Sequence, residues 1–177
     1  MLFLIFEFQQ ELELARKVSI ELLDTLRQIL LYEMGKGGPL NAIKVCSNMA
    51  QDIPKFYRER YGLFIRRISE KYRNEADKPD NYEEKILRML DSLNKQNKLP
   101  EEYYEVIKEG DKNYLRYFKP ITVQGMCLVC HGTEDYIPKD IKEFLNKAYP
   151  SDRARGYKVG DFRGAVSVKI LLKGGEK

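Results

Sequence analysis

Apolar positions recur at helical steps through the first third of the chain. Residues Gln9 to Met34 contain neither Gly nor Pro, and Ala15, Val18, Leu22, Leu26 and Ile29 follow one another at three- and four-residue intervals. That spacing places one apolar stripe on a long amphipathic helix. Ala15, Leu22 and Ile29 are also seven apart, so a homodimer seam through this N-terminal helix is a second reading. Only about two to three heptads are available, which favours packing within the chain itself. The preceding MLFLIFEF is apolar except for Glu7. It reads as the first buried turn of the helix, as a cloning edge, or as the remnant of a signal or anchor; the charged start and cleavage site of a full signal are missing.

Gly35, Gly37 and Gly38 stop this helix and Pro39 opens the next. Leu40 to Arg60 is expected to be a second helix, bent at Pro54, with Ala42, Ile43, Cys46, Met49 and Ala50 on one face. Leu63–Ser69 is β-compatible. Tyr82–Leu93 is a third helix with Ile86, Leu87 and Leu90 inward and Asp80 or Asn81 as its cap. Asn113–Val123 is rich in strand formers, with Pro120 implying an edge or a bend. Lys139–Tyr149 is a short helix. Residues 165–172 alternate cleanly as a strand. Helices lead and a mainly antiparallel sheet follows, so the fold class is α+β. At 177 residues the chain is expected to be one domain, with residues 1–36 as an N-terminal helix and 37–172 as the core.

Composition narrows the function. Apolar residues make up 43%, against disorder. Thirty-one basic and twenty-seven acidic residues leave a net charge of +4, and the charges are interspersed. That is no footprint for a nucleic acid. Three cysteines and one histidine exclude a disulfide-stapled miniprotein and any bis-histidine site within the chain.

The strongest local signal is Cys127-Leu128-Val129-Cys130-His131. C-x-x-C-H is the attachment motif of c-type haem. Two thiols three residues apart each add to a vinyl group, and the next residue offers its imidazole to the iron. The chain's one histidine is the one that the motif needs. Two bland alternatives compete. A redox dithiol wants a βαβ context, which is missing. A structural zinc site of Cys46, Cys127, Cys130 and His131 has the right ligand count, but it makes neighbours Cys130 and His131 share one tetrahedral ion.

With His131 on one axial position, the other falls to Met, Cys, Lys, Tyr, water or nothing. Met34, Met49 and Met89 would suit an electron-transfer cytochrome, whereas Met126 stands too near the motif. Cys46 is the third cysteine. Ala42, Ile43, Met49 and Ala50 flank it, small and apolar enough to let a flat macrocycle lie on the helix. Its bland reading is a small buried hydrophobe.

Segments beyond the motif carry a resemblance. Gly37-Gly38-Pro39-Leu40-Asn41-Ala42-Ile43-Lys44-Val45-Cys46 comes first, then Arg66-Arg67-Ile68-Ser69 with Lys71 and Arg73-Asn74. Pro79-Asp80 with Glu83 or Glu84 follows, then the haem motif with Gly132. Tyr149-Pro150 and Gly156-Tyr157 precede Gly160-Asp161 and Arg163-Gly164-Ala165-Val166-Ser167-Val168. In this order the chain resembles the PAS-like single-haem c-type domains of exported bacterial and cyanobacterial proteins and of sensor kinases. Glu75 and Asp77 depart from the family's usual Pro and Asn, and no kinase or cyclase transmitter is present. The resemblance implies a PAS-like fold and Cys46 as the ligand opposite His131.

The resulting expectation is an extracytoplasmic protein, periplasmic or anchored in its full precursor, because haem attachment to this motif follows export. It carries one covalent haem c with iron held by His131 and Cys46. Arg66 or Arg67 pairs with a propionate. The role is sensing of redox state or a diatomic gas, with a redox partner or gas as its counterpart. Electron transfer is the rival reading and a zinc module the remote one. Nothing in the sequence indicates an enzyme.

Overall fold

A computed structural model describes residues 2–49 and 51–173. Helix α1 runs over Leu2–Met49 and is interrupted at Gly37 and Gly38. Gly38 takes φ 73°, a left-handed conformation that costs glycine little, and Pro39 restarts the helix. Across the break, Asn41 donates from Nδ2 to the Glu33 carbonyl at 3.0 Å. Two helical segments therefore meet at the predicted stop, the first longer than the sequence pattern required.

The expected second helix divides further. Its second part, α2 (Asp52–Tyr61), has Pro54 in its first turn, where a missing N–H is tolerated. The break thus falls before Asp52 rather than as a bend at Pro54. Gly62 ends α2 in the left-handed region, its N–H returning to the Arg58 carbonyl. Ala50 lies outside the described residues.

Four antiparallel strands follow: β1 (Phe64–Ile68), β2 (Tyr103–Glu109), β3 (Lys112–Thr122) and β4 (Phe162–Leu172), in the spatial order β1-β4-β3-β2. The α+β class and the antiparallel sheet match the sequence expectation. Pro120 lies in β3 past the end of its pairing with β2, at a local edge of the kind that the sequence implied. Pairing with β2 ends at Phe118, so β3 there has only β4 beside it and no ladder bond to β2 is forfeited. The sequence pattern did not mark β2. Its residues alternate between half-buried and exposed with none fully buried, so apolar contrast is weak.

One sheet face packs on α1 and α2. Leu12, Ala15, Val18 and Leu22 are buried against Leu115, Tyr117, Val166 and Val168. Each fully buried large apolar side chain contributes about 1.5–3 kcal/mol. Ala15 and Leu22 are thus buried inside the chain and Ile29 packs on the same cluster, the packing that the sequence pattern favoured over a dimer seam. The first segment of α1 thus forms one wall of the core.

The other face packs on α3 (Asn81–Lys95), which meets Phe118, Ala165 and Ile68 through Ile86, Leu87 and Leu90. Asp80 caps α3 by accepting from the Glu83 N–H at 2.7 Å, while the Glu83 carboxylate accepts from the Asp80 N–H at 3.0 Å. Helix α4 (Leu128–His131) is a single turn after β3, and α5 (Lys139–Ala148) covers it through Ile141 and Leu145, with Ile137 just before the helix. No helix among the described residues is long and apolar enough to cross a membrane.

Candidate functional site

The Cys127–His131 segment coils because it is held at its end. A 3-10 turn at Gly125–Cys127 leads into α4, whose last carbonyls have no partners of their own. The loop at 149–157 supplies them. Gly156 N–H donates to the Gly132 carbonyl at 2.8 Å and Tyr157 N–H to the His131 carbonyl at 3.0 Å. Arg73 donates from Nη2 to the Cys130 carbonyl at 2.5 Å.

The same loop orients the imidazole. His131 Nδ1 lies 2.7 Å from the Ala154 carbonyl oxygen. A carbonyl only accepts, so Nδ1 carries the proton and Nε2 keeps the lone pair. Burial, then the nearby Arg163 and Arg73, pushes the imidazole pKa well below its ordinary value. The ring is therefore neutral, the form that ligates metals.

His131 borders a cavity of about 340 Å³, within the range of small-ligand sites. Helix α1 supplies Leu26, Leu30, Met34, Ala42, Ile43 and Cys46 from both sides of its break. The motif supplies Cys127, Val129 and Cys130, and Met126 just before it lines the cavity too. All three cysteines are free thiols. Burial raises the Cys130 pKa to about 11 and raises that of Cys46, where the Arg67 charge partly offsets it.

Arg67, Arg73 and Arg163 also line the cavity. Arg67 stands 3.8 Å from Asp77, and its Nε is buried without a partner. Arg73 pairs with Asp152 at 3.2 Å. Arg163 donates to Ser69 Oγ at 2.6 Å and the Lys71 carbonyl at 3.1 Å, and no carboxylate pairs with it among the described residues. Burial lowers its pKa, and the two neighbouring arginines add to this. Gly164 makes that placement possible. It holds φ 144°, and a Cβ there would sit 2.1 Å from the Ile68 carbonyl oxygen.

The structure thus gathers Ala42, Ile43, Cys46, Arg67, Cys127, Cys130 and His131 around one space. It does not gather Arg66 or Met49. Alternation along β1 turns Arg66 to the opposite sheet face, where it pairs with Glu83. Met49 is 37% exposed and lies away from the cavity, and Met89 lies on α3, packed against the cluster on the other sheet face. Among the described residues no three His, Cys, Asp or Glu side chains converge as metal ligands, so the four-ligand zinc arrangement has no geometric basis. Arg73 and Arg163 were not anticipated as site residues. No local sequence signal separates them from solvated arginines.

Fold and site together define an α+β protein whose CxxCH turn closes an apolar, arginine-lined cavity against a broken helix. The Tll0287-like family matches residues 7–170, and the chain belongs to it. The chain is similar to the crystal structure of the cyanobacterial haem protein Tll0287, with 27% identity and a TM-score of 0.70 over 95% of this chain and 98% of that one. A comparison with curated proteins finds no match.

Proposed function

We propose that the chain is an extracytoplasmic c-type haem protein that senses redox state or a diatomic gas. The observation that carries this is the His131 geometry. Its Nδ1 is committed to Ala154, which leaves Nε2 as the ligating nitrogen beside a cavity that also holds Cys46.

The residues fit the group. Cys127 and Cys130 are free thiols at vinyl-addition spacing. The apolar lining from α1 suits a macrocycle. Arg163 has no carboxylate partner among the described residues and Arg67 has only Asp77 at 3.8 Å, and both suit the two propionates of haem. When bound, haem supplies a one-electron iron centre whose potential its axial ligands tune. Cys46 would provide the second protein ligand. Burial keeps its thiol protonated in the absence of a metal, and coordination deprotonates a thiol outright. Held as a thiolate, Cys46 would favour ferric iron, and as a thiol it would be the weaker ligand. Loss of one ligand is the two-state element that sensing requires. Helix α1 borders the cavity with both segments and is suited to relay the change. The similarity to a cyanobacterial haem protein supports the cofactor.

The test is production in a host with haem c maturation. Haem should resist acid–acetone extraction and add one haem to the intact mass. Cys46→Ser should raise the reduction potential and change the ferric spectrum, at a stability cost of ~1–3 kcal/mol. If that variant matches wild type while Met34→Leu changes the spectrum, the protein is a His/Met electron-transfer cytochrome, since Met34 borders the same cavity. Extractable haem sinks the c-type assignment.

A further inference from the structure

Arg73 reaches the site from the loop after β1 and touches three parts of the proximal side. Its Nε pairs with Asp152 Oδ1 at 3.2 Å. Its Nη2 donates to the Cys130 carbonyl at 2.5 Å and lies 3.4 Å from the Ala154 carbonyl oxygen. That last atom is the acceptor for His131 Nδ1–H. Asp152 completes the circuit by accepting from the Ala154 N–H at 2.9 Å and from Arg155 Nε at 3.0 Å. Burial works to raise the Asp152 pKa, but Arg73, the Ala154 N–H and Arg155 together hold it below its ordinary value. Asp152 is therefore ionised at neutral pH. A guanidinium and a carboxylate thus meet at the backbone of Ala154, the carboxylate on its N–H and the guanidinium at the C=O that orients the imidazole.

We propose that Arg73 and Asp152 are an opposed pair of positioning residues that set the basicity of His131, and through it the reduction potential of the haem. The inference rests on the haem reading above. The physics is direct. Outer-shell partners of a ligating histidine tune the metal. The stronger the acceptor at Nδ1–H, the more imidazolate character the ring has, and the more the ferric state is favoured. Arg73 draws electron density from the Ala154 carbonyl and weakens it as an acceptor. It also places a positive charge near the iron site. Both effects favour the ferrous state. Asp152 opposes them with its charge.

The signs separate tuning from mere support. Arg73→Gln frees the Ala154 carbonyl and leaves Asp152 less balanced, so the potential should fall. Asp152→Asn keeps an acceptor for the Ala154 N–H but unbalances Arg73, so the potential should rise. Arg73→Lys keeps the charge and should stay close to wild type. A purely structural pair would loosen the same loop in both variants and would not produce opposite shifts.

The experiment is a mediated potentiometric titration of matured holoprotein. It is accompanied by the Fe–His stretching frequency and by ¹⁵N shifts of the His131 ring in the haem-free chain. The expected result is opposite shifts, each about a tenfold change in the one-electron equilibrium, ~59 mV. The Nδ1–H of haem-free Arg73→Gln should show a stronger hydrogen bond than wild type. Shifts of one sign, or none, with intact spectra overturn the proposal. If Arg73→Gln fails to mature, an unchanged or lowered potential in Asp152→Asn overturns it alone. Unmodified chain that carries no covalent haem overturns the haem reading, and this inference with it.

Discussion

Arg66 and Arg67 are neighbours on one strand, and the structure puts them in opposite circumstances. Arg66 faces α3 and closes on Glu83, which is 1% exposed. Arg116 joins the same carboxylate at 3.4 Å and Ser167 donates to it at 2.8 Å. That network ties β1, β3 and β4 to the start of α3. Arg67 faces the cavity with a distant Asp77, near Arg163, which has no carboxylate among the described residues. Buried charge is costly unless paired. On one face the chain supplies the counter-charge itself; on the other it keeps a cationic surplus that a bound dicarboxylate would neutralise. The difference teaches how to tell a structural arginine from a binding one: by what answers it.

The largest test of that contrast is Glu83→Gln. It leaves Arg66 and Arg116 without their shared anion and should cost about 3–5 kcal/mol in denaturant unfolding. A loss below 1 kcal/mol would mean that the network carries little of the fold. Arg163→Met should behave oppositely. The haem-free chain should gain ~1–2 kcal/mol, because an unanswered charge is replaced by an apolar group of similar length. Haem incorporation should fall. A variant as destabilised as Glu83→Gln would erase the distinction between the two faces.

The smallest test is acid. The Asp152 pKa is depressed in the folded state, so its stabilisation is fully present above the unfolded value of about 3.9. It is lost as pH falls from there through the folded pKa, because the unfolded chain takes up the proton first. The haem-free chain should lose stability below about pH 4, and Asp152→Asn should flatten that part of the profile. An unchanged pH profile in the variant would remove Asp152 from the proximal loop's electrostatics.

Contiguous chemistry was legible in the sequence. The Cys127–His131 spacing is a covalent requirement met within five residues, and the stripe on α1 and the clean alternation of β4 are local periodicities. Gly37-Gly38-Pro39 announced the break that lets α1 wall the cavity on both sides. Cys46 stood out as the cysteine that the motif does not use. These features depend on neighbours in the chain, so they survive without a tertiary structure.

The arginines do not. Residues 66 and 67 differ in sequence only by position, and which one meets the cavity depends on the face to which β1 turns each. Arg163 reaches the site through contacts to Ser69 and Lys71, more than ninety residues away. Arg73 acquires its role from a loop that begins near Tyr149. Strand β2 became a strand only because β3 was there to pair with it. The sequence by itself determined the thiols, the imidazole and the helical wall, because spacing along the chain dictates them. The tertiary structure alone decided which charges are answered and which are left for a ligand, because burial and pairing are properties of where residues meet.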